Sequence, residues 1–177
     1  MNSHLVNVQY SGLCIGKLEA YSYLLDYEDA AKDNPNSTAT YGLRLSGAKP
    51  INDSVTAVYT AEYATQHDYA DGKMDPQDYY LVELGGKYQG WLAKLSYEVQ
   101  EGDGTYSFKT PLGTNHAFQG WADVFLTTPN AGLIDTYFTV VGNVAGAKLI
   151  AVYHDFETDK GSLDAGKEFD VMLQKTF

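Results

Sequence analysis

The 177-residue chain contains one cysteine, Cys14, and one arginine, Arg44. A single cysteine cannot form an internal disulfide, and it excludes a zinc site built from several thiolates. The formal net charge is -11. Affinity for nucleic acid comes largely from lysine and arginine contacts to phosphates, so this charge argues against a nucleic-acid partner.

Long apolar runs are also missing from the sequence. The longest are a few residues, whereas a transmembrane helix needs about 20 consecutive apolar residues. Any association with a membrane must therefore use β-strands. Residues 1–8 lack the basic and apolar segments of a signal peptide. We therefore expect that the chain either is not exported or lacks its true N-terminus.

No pattern in the sequence indicates catalysis. The four histidines, at positions 4, 67, 116 and 154, lack the spacing of a metal site. His116 and Asp123 lie in one connecting segment, but no nucleophile-elbow motif accompanies them. We therefore predict a single domain over residues 1–177 that is not an enzyme and uses no metal or cofactor.

Alternation with a period of two residues is the dominant pattern. Nine segments between turn signals alternate apolar and polar residues, which is typical of β-strands. They span residues 4–10, 13–27, 38–48, 53–66, 78–88, 90–100, 134–143, 146–156 and 167–177. A strand of about 11 residues, rising ~3.3 Å per residue and tilted by about 40°, spans about 28 Å. That length is close to the apolar band of an outer-membrane barrel.

The connections between these segments alternate between short and long. Short connections cover residues 10–13, 47–53, 88–90 and 143–146, and long ones cover 28–37, 67–77, 101–133 and 157–166. Tight turns on one side and long loops on the other are typical of transmembrane β-barrels, whereas a Greek-key sandwich would not alternate so strictly. We therefore predict an all-β fold, an antiparallel up-and-down transmembrane β-barrel. Its long loops would lie outside the cell and its C-terminus in the periplasm.

The last strand supports this prediction. Phe169, Val171, Leu173 and Phe177 fall on one side of the two-residue period. An apolar strand face at the end of a chain needs a cover, which a bilayer provides for a barrel. Bacterial single-chain barrels have an even number of strands. Nine strands therefore predict that the chain is the C-terminal portion of a larger barrel.

The polar residues that alternate with apolar residues in the predicted strands are candidates for lining a pore. Arg44, Glu62, Glu83, Lys94 and Glu98 alternate with apolar neighbours, so we expect all five to face a lumen. Because carboxylates outnumber cations among them, we expect a mild preference for cationic or neutral solutes.

The connection over residues 101–133 is longer than an unstructured loop should be and is rich in apolar residues. We predict that part of it folds inward and narrows the pore, with a short helix near residues 117–124. The candidate constriction residues are His116, Phe118, Gln119, Trp121 and Asp123. The alternative is an external loop that packs on itself and has no gating role.

Several segments resemble the alginate-export-type porin family of Gram-negative outer membranes. The most specific lie within residues 110–129, TPLGTNHAFQGWAD followed by FLTTP. Further segments are YLLDYED at 23–29, STATYGLR at 37–44, YTAEYA at 59–64, EGDGTY at 101–106 and VYHDF at 152–156. The resemblance runs from about Leu5 to Phe177 and covers the C-terminal half or so of a typical member.

The resemblance implies an outer-membrane channel for small hydrophilic solutes. Its partners would be outer-membrane lipid and the assembly machinery, which would recognise the terminal aromatic strand ending at Phe177. Alginate-exporting members have a lumen rich in arginine and lysine, a feature this sequence lacks, so alginate is not the expected solute. Two alternatives remain open: a small closed barrel with a structural or ligand-binding role and no pore, and a soluble carbohydrate-binding β-sandwich. The sequence does not predict the oligomeric state.

Overall fold

The computed structural model describes residues 2–27, 36–113 and 118–176, and these form nine strands in one sheet. The strands are β1 Asn2–Leu13, β2 Gly16–Asp26, β3 Thr38–Pro50, β4 Val55–Asp68, β5 Gln77–Tyr88, β6 Trp91–Gln100, β7 Leu133–Val144, β8 Ala147–Glu157 and β9 Asp164–Gln174. All nine predicted strands are confirmed, with ends displaced by no more than three residues. Within the described ranges no residue is helical, and so no helix there is long and apolar enough to cross a membrane.

Each strand pairs antiparallel with its neighbours in chain order, from β1 to β9. The predicted up-and-down order is therefore confirmed. The sheet is open, with β1 and β9 at its edges. Eight antiparallel steps leave these two edge strands pointing in the same direction. A direct pairing of β1 with β9 would consequently be parallel, unlike the antiparallel pairing of bacterial barrels.

Three of the short connections are two-residue hairpin turns, and two of these share one backbone conformation. Tyr88 pairs with Trp91, and both intervening residues, Gln89 and Gly90, have positive φ angles of 47° and 82°. The β7–β8 turn repeats the pattern at Ala145 and Gly146, with φ angles of 50° and 76°. Positive φ at both central positions matches the right-handed twist of the flanking strands, so these turns fix the register of both hairpins.

The two faces of the sheet differ in polarity and in exposure. The face that we call the apolar face carries large side chains that are mostly exposed, such as Leu84 (65%) and Phe169 (68%). The opposite face, the polar face, carries carboxylates that are buried, such as Glu98 (5%) and Asp135 (1%). The polar side of the sheet is therefore the packed side, which inverts the usual arrangement of a soluble protein.

The polar face is packed because the long connection between β6 and β7, residues 101–132, contacts it through its described parts, 101–113 and 118–132. Within its described residues, Phe108 packs on Tyr79 of β5, with 5.4 Å between ring centroids. Phe125 packs on Phe156 of β8 at 4.9 Å. We call this connection the inner loop.

The predicted helix near residues 117–124 is wrong over 118–124, where the backbone forms bends and turns instead. Gln119, Gly120 and Asp123 have φ angles of 52°, 87° and 57°. Left-handed residues at three of these positions cannot continue a right-handed helix. Ala117 lies outside the described residues.

Candidate functional site

The candidate site begins with a row of charged residues across β2, β3 and β4. Antiparallel register places Glu19 opposite Arg44, and Arg44 opposite Glu62. Nη1 of Arg44 donates to Oε2 of Glu62 at 2.6 Å, and the Tyr21 hydroxyl donates to Oε1 of the same carboxylate at 2.7 Å. Arg44 and Glu62 thus share the polar face, as the alternation predicted.

A second ion pair lies on β5 and β6. Lys94 pairs with Glu83, whose carboxylate also accepts a hydrogen bond from the Ser96 hydroxyl at 3.1 Å. Both Lys94 and Glu83 lie on the polar face, again as predicted. Because the charges are paired, the carboxylate of Glu83 can remain buried on the polar face.

Glu98 connects the sheet to the inner loop. Its Oε1 accepts one hydrogen bond from the Tyr79 hydroxyl at 3.0 Å and one from the Gln119 side-chain amide at 3.1 Å. Gln119 belongs to the predicted constriction residues, and Glu98 to the predicted pore-lining residues. The structure therefore brings members of the two predicted sets into direct contact.

A histidine between two carboxylates lies beside Glu98. Nδ1 of His154 is 2.8 Å from Oδ2 of Asp135, and its Nε2 is 3.6 Å from Oδ2 of Asp170. When Asp135 is ionised, its carboxylate can only accept, and Nδ1 of His154 then carries the hydrogen. The imidazole also stacks on Tyr137 and Phe156, with centroid distances of 5.2 and 5.3 Å.

Sequence reasoning did not find the Asp135–His154–Asp170 group. Segments 134–143 and 146–156 are apolar on both sides in places. Alternation therefore does not show which face of the sheet each of their residues occupies. One signal was present: an aspartate near the start of an otherwise apolar strand needs a buried partner. Pairing β7 with β8 places Tyr137 opposite His154, and this register brings His154 within reach of Asp135.

Backbone amides of the inner loop bind the last strand. The amide of Ala122 donates to Oε1 of Glu168 at 2.8 Å, and that of Trp121 donates to Oδ2 of Asp170 at 3.4 Å. A Cβ atom at position 120 would lie 2.6 Å from Oε2 of Glu168. A side chain at position 120 would therefore force the Glu168 carboxylate to move, and the φ of 87° also favours glycine.

The beginning of the inner loop is also fixed by hydrogen bonds. Oδ1 of Asp103 accepts from the amides of Tyr106 at 2.7 Å and Thr105 at 2.6 Å, and these bonds lower the pKa of the carboxyl group. The buried Gln66 side chain binds both backbone groups of Lys109, at 2.7 and 2.9 Å. Burial lowers the pKa of the Lys109 ammonium. The Asp103 bonds thus order the loop internally, and the Gln66 bonds attach it to β4.

A cavity of about 220 Å³ remains between the inner loop and the polar face. Glu98, Asp135, Tyr137 and His154 contribute from the sheet, and the loop contributes residues 118–121. Lys94, Thr139 and Val152 complete its wall. The cavity thus combines residues of both predicted sets with the Asp135–His154 pair that the sequence did not reveal.

The remaining predicted site residues are more scattered. Phe118 and Trp121 line the cavity, whereas Asp123 lines a smaller cavity of about 40 Å³ beside Phe125. The predicted assembly residues Phe169, Val171 and Leu173 are exposed together on the apolar face of the edge strand β9. His116 and Phe177 lie outside the described residues.

In the described part of the chain, no group of three histidine, cysteine or acidic residues is arranged to hold a metal ion. Cys14 is exposed in the β1–β2 turn. Comparison with known protein families, with curated proteins and with solved structures gives no match. The resemblance to alginate-export-type porins therefore stays a prediction from the sequence.

Proposed function

We propose that the chain forms the wall of an outer-membrane porin, through which small hydrophilic solutes diffuse passively along the polar face. The observation that carries this proposal is the inverted polarity of the sheet. Exposed apolar residues follow one another over several strands, among them Leu43, Val82, Leu84, Leu95 and Val171. Monomeric soluble proteins rarely expose a contiguous apolar surface of this kind, whereas a barrel turns such a surface toward lipid.

The distribution of residue types on the apolar face supports a membrane location. On β5, Tyr80 and Tyr88 flank Val82 and Leu84 on the same face. The rings of Tyr63 and Tyr80 pack against each other at 5.5 Å, near the side of the long connections. Aromatic residues around an aliphatic band are typical of the two membrane–water interfaces.

The charged residues of the polar face favour the proposed passage of water and solutes along it. Its ion pairs, Arg44 with Glu62 and Lys94 with Glu83, would line the lumen, and the inner loop would narrow it. Additional carboxylates at Glu98, Asp135 and Asp170 make this lining acidic. We therefore propose selectivity for neutral or cationic solutes over polyanions. The proposed location is the outer membrane of a Gram-negative bacterium.

Swelling of lipid vesicles tests this proposal against a barrel without a pore. The chain is refolded from urea into vesicles, and its insertion is verified by protection from external protease. Vesicles that contain the inserted chain should swell in solutions of small neutral sugars and of small cations, and more slowly in solutions of polyanions. Insertion without any swelling would contradict the proposed passage of solutes along the polar face.

A further inference from the structure

The cavity under the inner loop has the size of a small ligand. Its volume of about 220 Å³ corresponds to roughly seven water molecules at ~30 Å³ each, and it falls below the ~300 Å³ at which pockets for drug-sized ligands begin. A single sugar ring has this size. The cavity lies where the inner loop meets the polar face, so on the proposed function it lies on the path of the solute.

The hydrogen-bonding groups around the cavity are already oriented by neighbours. The carboxylate of Glu98 is held by Tyr79 and Gln119, and that of Asp135 is held by His154. A group fixed before binding loses little conformational freedom when the ligand arrives. The wall is therefore suited to a ligand with several hydrogen-bonding groups at defined positions.

Two of the charged groups around the cavity have a partner inside the protein. Lys94 is paired with Glu83, and Asp135 contacts His154. Glu98 accepts hydrogen bonds from two neutral donors. A free anion would meet carboxylates, and a purely apolar molecule would make no hydrogen bonds with the polar groups of the wall. The arrangement favours a neutral ligand whose groups both donate and accept hydrogen bonds.

Besides the polar groups, the cavity wall contains aromatic residues. Phe118 and Trp121 line the cavity from the inner loop, and Tyr137 lines it from β7, where its ring stacks on His154 at 5.2 Å. Aromatic rings provide rigid apolar contact area beside polar groups. A sugar ring presents both kinds of surface, since its C–H groups are apolar and its hydroxyls donate and accept.

We propose that this cavity is a binding subsite for a neutral, monosaccharide-sized polyol, with Glu98, Gln119 and Thr139 as hydrogen-bonding partners and Trp121 as an apolar wall. The inference rests on the proposed function in one respect, because it assumes that a passing solute binds in the cavity. It goes beyond that function by naming the class of solute and the residues that contact it.

Fluorescence of Trp121 provides the direct test. In a Trp91→Phe background of the full chain, Trp121 is the only tryptophan. Glucose, glucosamine and glucuronate share one ring shape but differ in charge, so each is titrated separately against the refolded protein. We expect a saturable change with glucose in the millimolar range, and a much weaker one with glucuronate.

Variants then locate the subsite. Gln119→Asn keeps a residue that tolerates the left-handed backbone but shortens the amide, and Thr139→Ala removes a hydroxyl. Each should weaken glucose binding about fivefold, the effect of one lost hydrogen bond. Val124→Ala, an exposed position on the same loop that does not line the cavity, should bind glucose unchanged.

The proposal is overturned if glucose gives no saturable change, if glucosamine binds and glucose does not, or if Val124→Ala weakens binding as much as Gln119→Asn. Vesicle swelling separates this failure from that of the pore. Vesicles that pass sugars without a glucose-binding signal would overturn the subsite and leave the porin intact. Glucose binding in vesicles that do not swell would overturn the porin and its solute path.

Discussion

The side-chain amide of Gln119 donates a hydrogen bond to the carboxylate of Glu98 at 3.1 Å, and thereby links the inner loop to the middle of the polar face. Two further bonds, from the amides of Trp121 and Ala122, attach the same stretch of loop to β9. The loop is thus bound to strands on both sides of the cavity. Its position over the polar face depends on a few identifiable contacts.

Removing the Gln119 contact should loosen the inner loop. The shorter side chain of Gln119→Asn would lose a bond to a carboxylate, which contributes about 1–3 kcal/mol. We expect the loop to be cleaved several-fold faster by a protease that reaches the long connections, because cleavage follows the population of the open loop. Val124→Ala serves as the control, and equal cleavage rates in the two variants would refute the role of this contact.

Gly120→Ala should displace the loop more strongly than a change at another left-handed glycine. The new methyl group would approach Glu168 to 2.6 Å and would also be strained by the φ of 87°. Gly161→Ala is the matched control, since its φ is 91° but the nearest atom is a leucine carbon at 3.9 Å.

Amide hydrogen exchange at Ala122, which donates to Glu168, measures the difference between these two variants. We expect clear loss of protection in Gly120→Ala and little change at this amide in Gly161→Ala. Protection that survives in Gly120→Ala would mean that the loop accommodates a side chain beside Glu168.

Arg44 should tune ion selectivity, because it is the only arginine and it lies on the polar face. In Arg44→Gln, the carboxylate of Glu62 loses its cationic partner and the lining becomes more negative. We expect the reversal potential across a planar bilayer to shift toward stronger cation selectivity. Lys49→Gln removes the same charge from the apolar face and should leave the potential unchanged. An equal shift in both variants would indicate that the position of the charge does not matter.

Leu84→Arg should impair insertion into lipid. Leu84 lies on the apolar face of β5 and is 65% exposed. An arginine on the lipid face of a barrel costs ~2–4 kcal/mol near the middle of the bilayer and much less near its surface. We expect the urea midpoint for refolding into vesicles to fall accordingly. Ile51→Arg, an exposed residue in the β3–β4 turn, should have a small effect. Similar midpoints would argue against a lipid-facing β5.

Much of the sheet follows from local patterns in the sequence. Alternating residues such as Tyr80, Val82 and Leu84 against Glu83 indicate both the strand and its faces, because side chains of a strand alternate by geometry. The short connections mark the tight turns, where glycines such as Gly90 and Gly146 allow positive φ. Both patterns involve residues that are close together in the chain, so they can be recognised in a single sequence.

The interior of the site was less predictable because it depends on contacts between distant residues. Whether residues 118–124 form a helix is decided by bonds to Glu168 and Asp170, about fifty residues later in the chain. The Asp135–His154 pair depends on the register of β7 and β8, which no local pattern shows. The sequence predicted that part of the inner loop folds inward and narrows the pore. Its described residues do pack on the polar face, whereas the narrowing of a pore stays a prediction and the path of the loop could not be derived.

The central claim is that the two faces of one sheet meet different solvents, lipid on one side and water on the other. Phe138 and Thr139 are adjacent on β7 and lie on opposite faces, Phe138 exposed on the apolar face and Thr139 at the cavity. Phe138→Cys and Thr139→Cys are made separately in a Cys14→Ser background. Each variant is refolded into lipid vesicles and treated with a charged, water-soluble thiol reagent.

We predict that the cysteine at position 139 reacts in vesicles and that the cysteine at position 138 is protected, while both react after the protein is unfolded in urea. Fast reaction at position 138 together with protection at position 139 would contradict the account, because the apolar face would then meet water and the polar face would form a closed core.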